Sequence, residues 1–578
     1  MTSNATTRNT TLTITLTASV ALTSLLAASS AFAQNVPTSV DASQIGRRFE
    51  EAPAPLQSGD LGLPLPSAPK ELSQAQQDKL SKVKFVLKRL SVAGNTAFTE
   101  EELKPTYESL VDKKISLLDA QSVARKITDM YQKAGYVLSQ AVVPQQEISK
   151  GTLKIRIVEG FVSNIVIQGD IKSDSEREII AAHLASIKNQ RPVNTKELER
   201  KLLLINDLPG ATIRGLLRPS PTEFGAAELV VNVERKAFDA SASVDNRGSK
   251  FVGPWQYNAT VAANSLFGLY DRTQLRLTTS SPSKELRGFE LQHDELLGTD
   301  GTKLSLLASR THTEPGDSLK NIDIVGDSDL FEAKVTHPFI RSRQENLVAR
   351  ALFDVRNADT DVFNNVDFTK DRLRIARIGG NYNFFDQFRG NNFIDAQLSQ
   401  GLDAFGATDD GANRTNSNGE ADFSKLNVDL SRLQPLPKNF SILATASGQY
   451  SLDPLLISEQ FSLGGTSFGT AYDPAEVLGD SGISGKLELR YNGVVGSPYF
   501  NSYQLFTYYD IGRAWIREGA PNANDKRSLA SWGGGVRTSF TENLSSSLEV
   551  AVPLTKPASN QGGHGDDARI FFATTARF

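Results

Sequence analysis

The sequence predicts a mainly β protein: a C-terminal antiparallel, membrane-spanning β-barrel of about 16 strands, preceded by two small α+β modules and a signal peptide. Three observations carry this. From Phe238 to Phe578 apolar and polar residues alternate in short segments separated by Gly, Asn and Asp clusters. Between Phe85 and Glu234 an order of strand, helix, helix, strand, strand occurs twice, at a period of about 75 residues. The first 33 residues hold one charge, Arg8, then a mildly apolar stretch, Thr11 to Ala28, then the small-x-small triplet Ala31-Phe32-Ala33.

The bulk numbers fit this class and exclude others. A chain of 578 residues is several domains. Its 39% hydrophobic and 22% charged content is polar on average, as a barrel with lipid on one face and water on the other must be. Zero cysteines exclude disulfides and thiolate metal sites. A net charge of −4 gives no case for nucleic acid. The five histidines (His183, His293, His312, His337, His564) form no i, i+4 pair, and no phosphate-binding glycine loop occurs, so no metal and no cofactor are expected. Beyond the signal no apolar run reaches the ~18 residues of a spanning helix.

In chain order, residues 1–33 read as the signal and 34–82 as a leader helix with a linker. Asp41 is placed to cap a helix, ASQIGRRFEEA, closed by Pro53. Prolines 53, 55, 64, 66 and 69 then make an extended, semi-rigid spacer. Module 1 takes residues 83–160: strand FVLKRLSV, a helix capped by Thr99, a second helix with Val123, Ile127, Met130 and Tyr131 on one face, then YVLSQAVV and TLKIRIVEG. Module 2, residues 161–236, repeats the order from FVSNIVIQGD to AELVVNVE. The barrel takes 237–578. In TQLRLT, Leu275 and Leu277 face one way and Gln274 and Arg276 the other. Arginines within otherwise apolar strands suit a wet lumen better than a dry core.

One stretch breaks the pattern. Phe461 to Gly482 carries Gly464, Gly465, Gly469, Gly479 and Gly482 with aromatics Phe461, Phe468 and Tyr472, and Tyr450 lies on the strand before it. It is too glycine-rich for a helix and too long for a hairpin turn, and its aromatics need burial. A long, ordered loop projecting from the sheet is expected.

The twice-repeated unit resembles the polypeptide-transport-associated (POTRA) domain. With the leader helix, LINDLPG at 204–210, SVDNRGS at 243–249, NSLFGLYD at 264–271, YYDIG at 508–512 and terminal Phe578, nearly the whole mature chain resembles the two-partner-secretion transporters of the outer membrane. The resemblance implies a pore that takes an unfolded exoprotein from the periplasm through its POTRA domains and exports it to the surface without ATP. The implied partners are one large secreted adhesin or haemolysin, outer-membrane lipid, and the barrel-assembly machinery, which would read Phe578. It implies a plug helix containing Asp41, Arg47, Arg48 and Phe49. It also implies that the long loop folds back into the lumen with a motif spanning Gly465, Phe468, Gly469, Thr470, Ala471, Tyr472 and Asp480, facing Tyr508, Asp510 and Gly512 on the wall. The family's loop arginine is replaced here by Thr470, so no charged clamp to Asp510 can form and at most a hydroxyl hydrogen bond remains; either Asp510 has another partner, with Arg490 and Arg513 as candidates, or the loop is held more loosely. The alternative reading is an assembly factor that inserts other barrels.

Two motifs invite other readings. Gly465-Thr466-Ser467-Phe468-Gly469 fits the G-x-S-x-G hydrolase elbow, but its setting is all-β rather than strand-turn-helix. No enzyme is expected. Lys84, Lys88 and Arg89 flank the first strand of module 1; they guard an edge strand or form a docking surface for the client.

Overall fold

A computed structural model describes residues 37–50, 73–188, 190–364, 366–409, 413–517, 526–555 and 567–578. The expected signal and the proline spacer lie outside the described residues.

Helix α1 (Ala42–Phe49) is the leader helix; α2 (Gln74–Lys82) leads into module 1. There the expected single strand is two. Lys84–Val86 pairs with Lys114–Ser116, and Arg89–Ala93 runs parallel to Thr152–Val158. The break falls where the amides of Leu87 and Lys88 bond to the carbonyls of Lys113 and Gly151. Fully buried Leu87 pins this handover between two ladders. The Thr99 helix is one turn, Glu100–Leu103, continued as 3-10 turns around Pro105. Helix α3 (Leu117–Lys133) buries Val123, Ile127 and Tyr131 as its periodicity demands. Gly135 ends it at φ +93°, a conformation only glycine adopts freely.

Module 2 packs α4 (Asp174–Lys188) and α5 (Thr195–Asn206) on a sheet ordered Phe161–Gly169, Ala226–Arg235, Ala211–Pro219. Its core holds Ile180, Leu184, Leu202 and Val231.

The rest is one closed antiparallel barrel of 16 strands. Strands β1–β8 are Phe238–Asp245, Trp255–Asn264, Arg272–Ser281, Arg287–Leu297, Thr302–Thr313, Val325–Arg341, Glu345–Val362 and Val366–Phe385. Strands β9–β16 are Asn391–Gly401, Ser424–Pro435, Phe440–Ser451, Ser481–Ser497, Phe500–Trp515, Lys526–Ser539, Leu544–Pro553 and Arg569–Arg577. Period-two alternation sends Leu277, Phe289, Leu487 and Ile511 outward, exposed, and Gln274, Glu488 and Asp510 inward, buried. Exposed aromatics ring both ends: Phe238, Phe388, Tyr499 and Phe578 at the rim beside the modules, Trp255, Tyr257 and Trp532 at the far rim. Two girdles around an apolar band are the mark of a barrel seated in a bilayer.

Closure is by β16 on β1, from Ala573↔Asp245 to Arg577↔Ser241. This seam is shorter than the β2–β3 pairing, which runs from Trp255↔Ser281 to Asn264↔Arg272. Past its far end the side chain of Asn246 acts as one more peptide group. Its Oδ1 accepts from the amide of Phe572 at 2.7 Å, and its Nδ2 donates to the carbonyl of Ile570 at 3.0 Å.

Module 2 is clamped to the near rim. Arg341 grips Asp207 through two bonds of 2.7 Å, Lys201 reaches Asp300 at 2.9 Å, and Ser265 donates to Glu176 at 2.8 Å. Tyr270 is fully buried against module 2's core. The motifs LINDLPG and NSLFGLYD are therefore the two sides of this junction.

Candidate functional site

The lumen is filled by two segments, α1 and the long loop, and each was expected there. Asp41 caps α1 by accepting from the amides of Ser43 (2.9 Å) and Gln44 (3.1 Å). Val40 and Ile45 are buried among Phe251, Val252, Leu319 and Ile324 from the far-rim loops, and Phe49 packs at the margin of that cluster. The helix's other side is polar. Arg47 donates to the carbonyls of Ser458 (2.8 Å) and Gln460 (3.0 Å). Arg48 lies 3.7 Å from Asp245, and Glu50 pairs with Arg356 at 2.5 Å. Gly46 faces Thr311, whose Oγ1 would stand 3.2 Å from a Cβ there, so the helix lies close against β5. The helix ends at Phe49 rather than at residue 52, because Glu50 is extended.

The loop leaves β11 at Ser451 and enters β12 at Ser481. It turns inward instead of projecting outward, as the family resemblance implies. A short ladder pairs Phe461–Leu463 with Val477–Gly479 and forms its stalk. Phe461, Leu463, Tyr472 and Val477 are buried against Ala514, Leu529 and Phe571 of the wall, with Phe468 half-buried beside them. Tyr450 takes no part; it is exposed on the barrel's outer face. Gly465 turns the chain at φ +98°, and Ser467 sits exposed at the bend.

Two sets of contacts hold the loop. At its start Glu459 is buried with two cations, Lys425 at 2.7 Å and Arg377 at 2.9 Å. Arg377 also reaches Asp354 at 2.6 Å. These side chains come from β7, β8 and β10, whose alternation aims them inward. Arg47 of α1 bonds to the carbonyls on either side of Glu459, so helix and loop share this cluster.

At the tip Asp510 is the anchor. Its Oδ1 accepts from the amide of Gly469 at 2.8 Å; its Oδ2 accepts from the amide (3.3 Å) and hydroxyl (2.6 Å) of Thr470. Lys486, register partner of Asp510 on β12, donates to the Thr470 hydroxyl at 3.3 Å and lies 4.0 Å over the Tyr508 ring. The expected candidates for this role are corrected. Arg490 is engaged by Glu488 at 2.6 Å. Arg513 is exposed and shares the outward face of Ile511, because one residue's displacement in a strand reverses the face.

The remaining expected site residues fall as follows. The Ala471 amide donates to the Ser531 hydroxyl at 3.2 Å. The Tyr472 hydroxyl donates to the carbonyl of Ala530 at 3.2 Å and meets Thr555. Asp480 is fully buried and accepts from the amides of Leu455 and Arg517 and the side chain of Gln460. Tyr508 donates to Glu549 at 2.6 Å. Gly512 lies under Leu463, so a Cβ there would stand 2.5 Å from Leu463 Cδ2. The wall motif is thus a seat for the loop. Phe578 is exposed, and its backbone exchanges two bonds with Ala240.

In module 1, Lys84, Lys88 and Arg89 are exposed. Lys88 pairs with Asp112 at 2.9 Å, and Arg89 opens an edge strand. Nearby, burial works to raise the Glu159 carboxyl, but donors from Thr96, Ala97 and Tyr131 outweigh it and hold the group below the usual range. Glu459, Lys425, Arg377 and Arg569 were not singled out from the sequence. Their only signal was a charge at an inward position of an alternating strand, or, for Glu459, in the loop approach.

A closed barrel whose lumen holds a helix and a folded-back loop, behind two small modules, defines an outer-membrane transporter. The chain belongs to the haemolysin secretion/activation protein family ShlB/FhaC/HecB, whose model matches residues 226–538, and the ShlB-type POTRA model matches residues 85–160. It is similar to the heme/hemopexin transporter protein HuxB of Haemophilus influenzae strain 86-028NP, 25% identical over 86% of this chain and 88% of that one. It is also similar to the outer membrane transporter CdiB of Escherichia coli O6:K15:H31, 24% identical over 82% of this chain and 79% of that one. The solved structure of CdiB from Escherichia coli superposes with a TM-score of 0.71 at 21% identity, covering 89% of this chain and 94% of that one. CdiB from Acinetobacter baumannii gives 0.62 at 16%, covering 93% and 96%. The protein is an outer-membrane two-partner-secretion transporter with periplasmic POTRA modules, and its near rim is the periplasmic one.

Proposed function

We propose that this transporter rests closed, with α1 and the loop as joint plugs, and exports one large secreted protein of the adhesin or haemolysin type. The observation that supports this reading is the shared attachment of the two plugs. Arg47 bonds to Ser458 and Gln460, and Thr38 donates to the carbonyl of Ala475 at 2.5 Å, so displacing one disturbs the other. The unfolded client adds a strand to an open sheet edge of the POTRA modules, since backbone pairing needs little sequence match. Arg89–Ala93 and Gln140–Val142 are the two edges of the main sheet in module 1, and Lys84, Lys88 and Arg89 flank the first of them. Client binding must favour the open state over the closed one for anything to shift. Phe578 serves insertion by the barrel-assembly machinery, the girdles seat the barrel in outer-membrane lipid, and no residue acts as a catalyst.

The test is deletion of residues 37–50. Resting conductance in planar bilayers rises while secretion persists; an unchanged conductance rejects α1 as a plug. Removal of residues 85–159 abolishes client binding.

A further inference from the structure

The loop's tip carries little charge of its own. Between Phe461 and Gly479 its charged residues are Asp473 and Glu476. Asp510 beneath the tip is satisfied by two backbone amides and a hydroxyl, all neutral donors. Such bonds fix the tip's position, yet water replaces them readily once the tip lifts. A second attachment differs in kind. Arg569, the first residue of β16, sets one guanidinium nitrogen 2.8 Å from Asp473 Oδ1 and donates from the other to the carbonyl of Ala471 at 3.3 Å. The side chains of Arg569 and Asp473 are 13% and 9% exposed, which makes this a buried ion pair. The guanidinium also lies 5.0 Å over the ring of Phe571, which stacks Arg247 at 4.2 Å. The Phe571 ring is thus the contact that Arg569 makes with the wall itself.

We infer that Arg569 is the positioning residue that locks the lumen loop in this transporter, with the cation on the barrel wall and the carboxylate, Asp473, on the loop. Three features follow from where Arg569 sits. It holds the residues between Ala471 and Asp473, while Asp510 on β13 and Ser531 on β14 hold those between Gly469 and Ala471; the tip is thus fixed to three strands. Asp473 is two residues from Ala475, whose carbonyl accepts from Thr38 of the leader segment, so the lock lies next to the contact between the two plugs. And Arg569 stands beyond the β1–β16 ladder, on the stretch of β16 that the side chain of Asn246 holds. Gripping the loop thereby steadies the last strand at the end where its pairing to β1 has stopped. Removing either charge leaves the other buried and unpaired, a state relieved when the loop moves into water.

The test uses the full chain in planar bilayers and in a secretion strain. Arg569→Gln and Asp473→Asn each raise resting conductance severalfold, and the exchange of both charges (Arg569→Asp with Asp473→Arg) returns it toward the parent value. Because the chain has no cysteine, Arg569→Cys with Asp473→Cys gives a second readout: a short bis-methanethiosulfonate reagent bridges the two thiols and closes the channel, and reduction of the bridge reopens it. Heat-modifiable gel mobility reports assembly of each variant, and the cysteine pair decides the matter where a charge variant fails to assemble. Parental conductance in assembled Arg569→Gln overturns the lock. So does an exchange variant that stays as open as the single variants. The reading rests on the loop obstructing the lumen, and deletion of residues 37–50 is run beside it. A rise there without one in Arg569→Gln removes the lock and leaves the plugged channel standing.

Discussion

The start of the lumen loop is held by a cluster of buried charges, and its tip by neutral donors with a single ion pair beside them. At the start, Glu459 is buried between Lys425 and Arg377, and Arg47 of the plug helix joins the same cluster. At the tip, Asp510 takes neutral donors, and the ion pair with Arg569 stands to one side. Buried charges are costly to separate but tolerate only a complete set of partners. Amide and hydroxyl donors to a carboxylate can be replaced by water once the tip lifts. Under the proposed plugged state, the start keeps helix and loop together and the tip lets go first.

The strongest way to break this contrast is Glu459→Gln. It leaves buried Lys425 without its carboxylate and Arg377 with Asp354 alone, at a cost of about 3–5 kcal/mol. Plug and loop should both release, seen as high resting conductance and a lower temperature for heat-modifiable unfolding. At the tip, Thr470→Val removes the hydroxyl from Asp510 at a cost of about 1–3 kcal/mol. A smaller conductance rise is expected, with Thr470→Ser near the parent; an effect as large as that of Glu459→Gln would erase the distinction. Arg48→Ala sharpens it from below. Its contact with Asp245 is long, 3.7 Å, and no hydrogen bond joins the two groups, so conductance should change little. The smallest effect on the lumen should come from acid acting on module 1. The Glu159 carboxyl is depressed, so the stability it contributes is present above its unfolded pKa and is lost as pH falls through the lower folded value. Hydrogen exchange at Thr96 and Ala97 should accelerate there, and Glu159→Gln should remove the pH dependence.

Much of the fold was legible because period-two alternation and the repeated module order are local signals. Leu275 and Leu277 face lipid as their spacing requires, and Asp41 caps the helix it precedes. Strands β6 and β7 were less visible. Their far-rim ends carry Asp327, Asp329, Asp359 and Asp361 on the face shared with lipid-facing Phe331, so alternation fades there. Strand β14 hides its pattern behind Gly533, Gly534 and Gly535, which have no side chains to alternate. Within the site, Asp510 and Tyr472 were placed by motif, whereas the choice of Arg490 or Arg513 as partner failed. One is taken by Glu488 and the other points outward.

The sequence by itself determined the antiparallel barrel and its approximate size, the two modules and the helix that precedes them, because alternation, module order and capping depend on residues a few positions apart. Only the tertiary structure decided who holds the loop. Asp473 and Arg569 are nearly a hundred positions apart along the chain, and barrel closure alone brings the last strand beside the loop. Which of many inward charges meet is set by that geometry, since every one of them satisfies the same local rule.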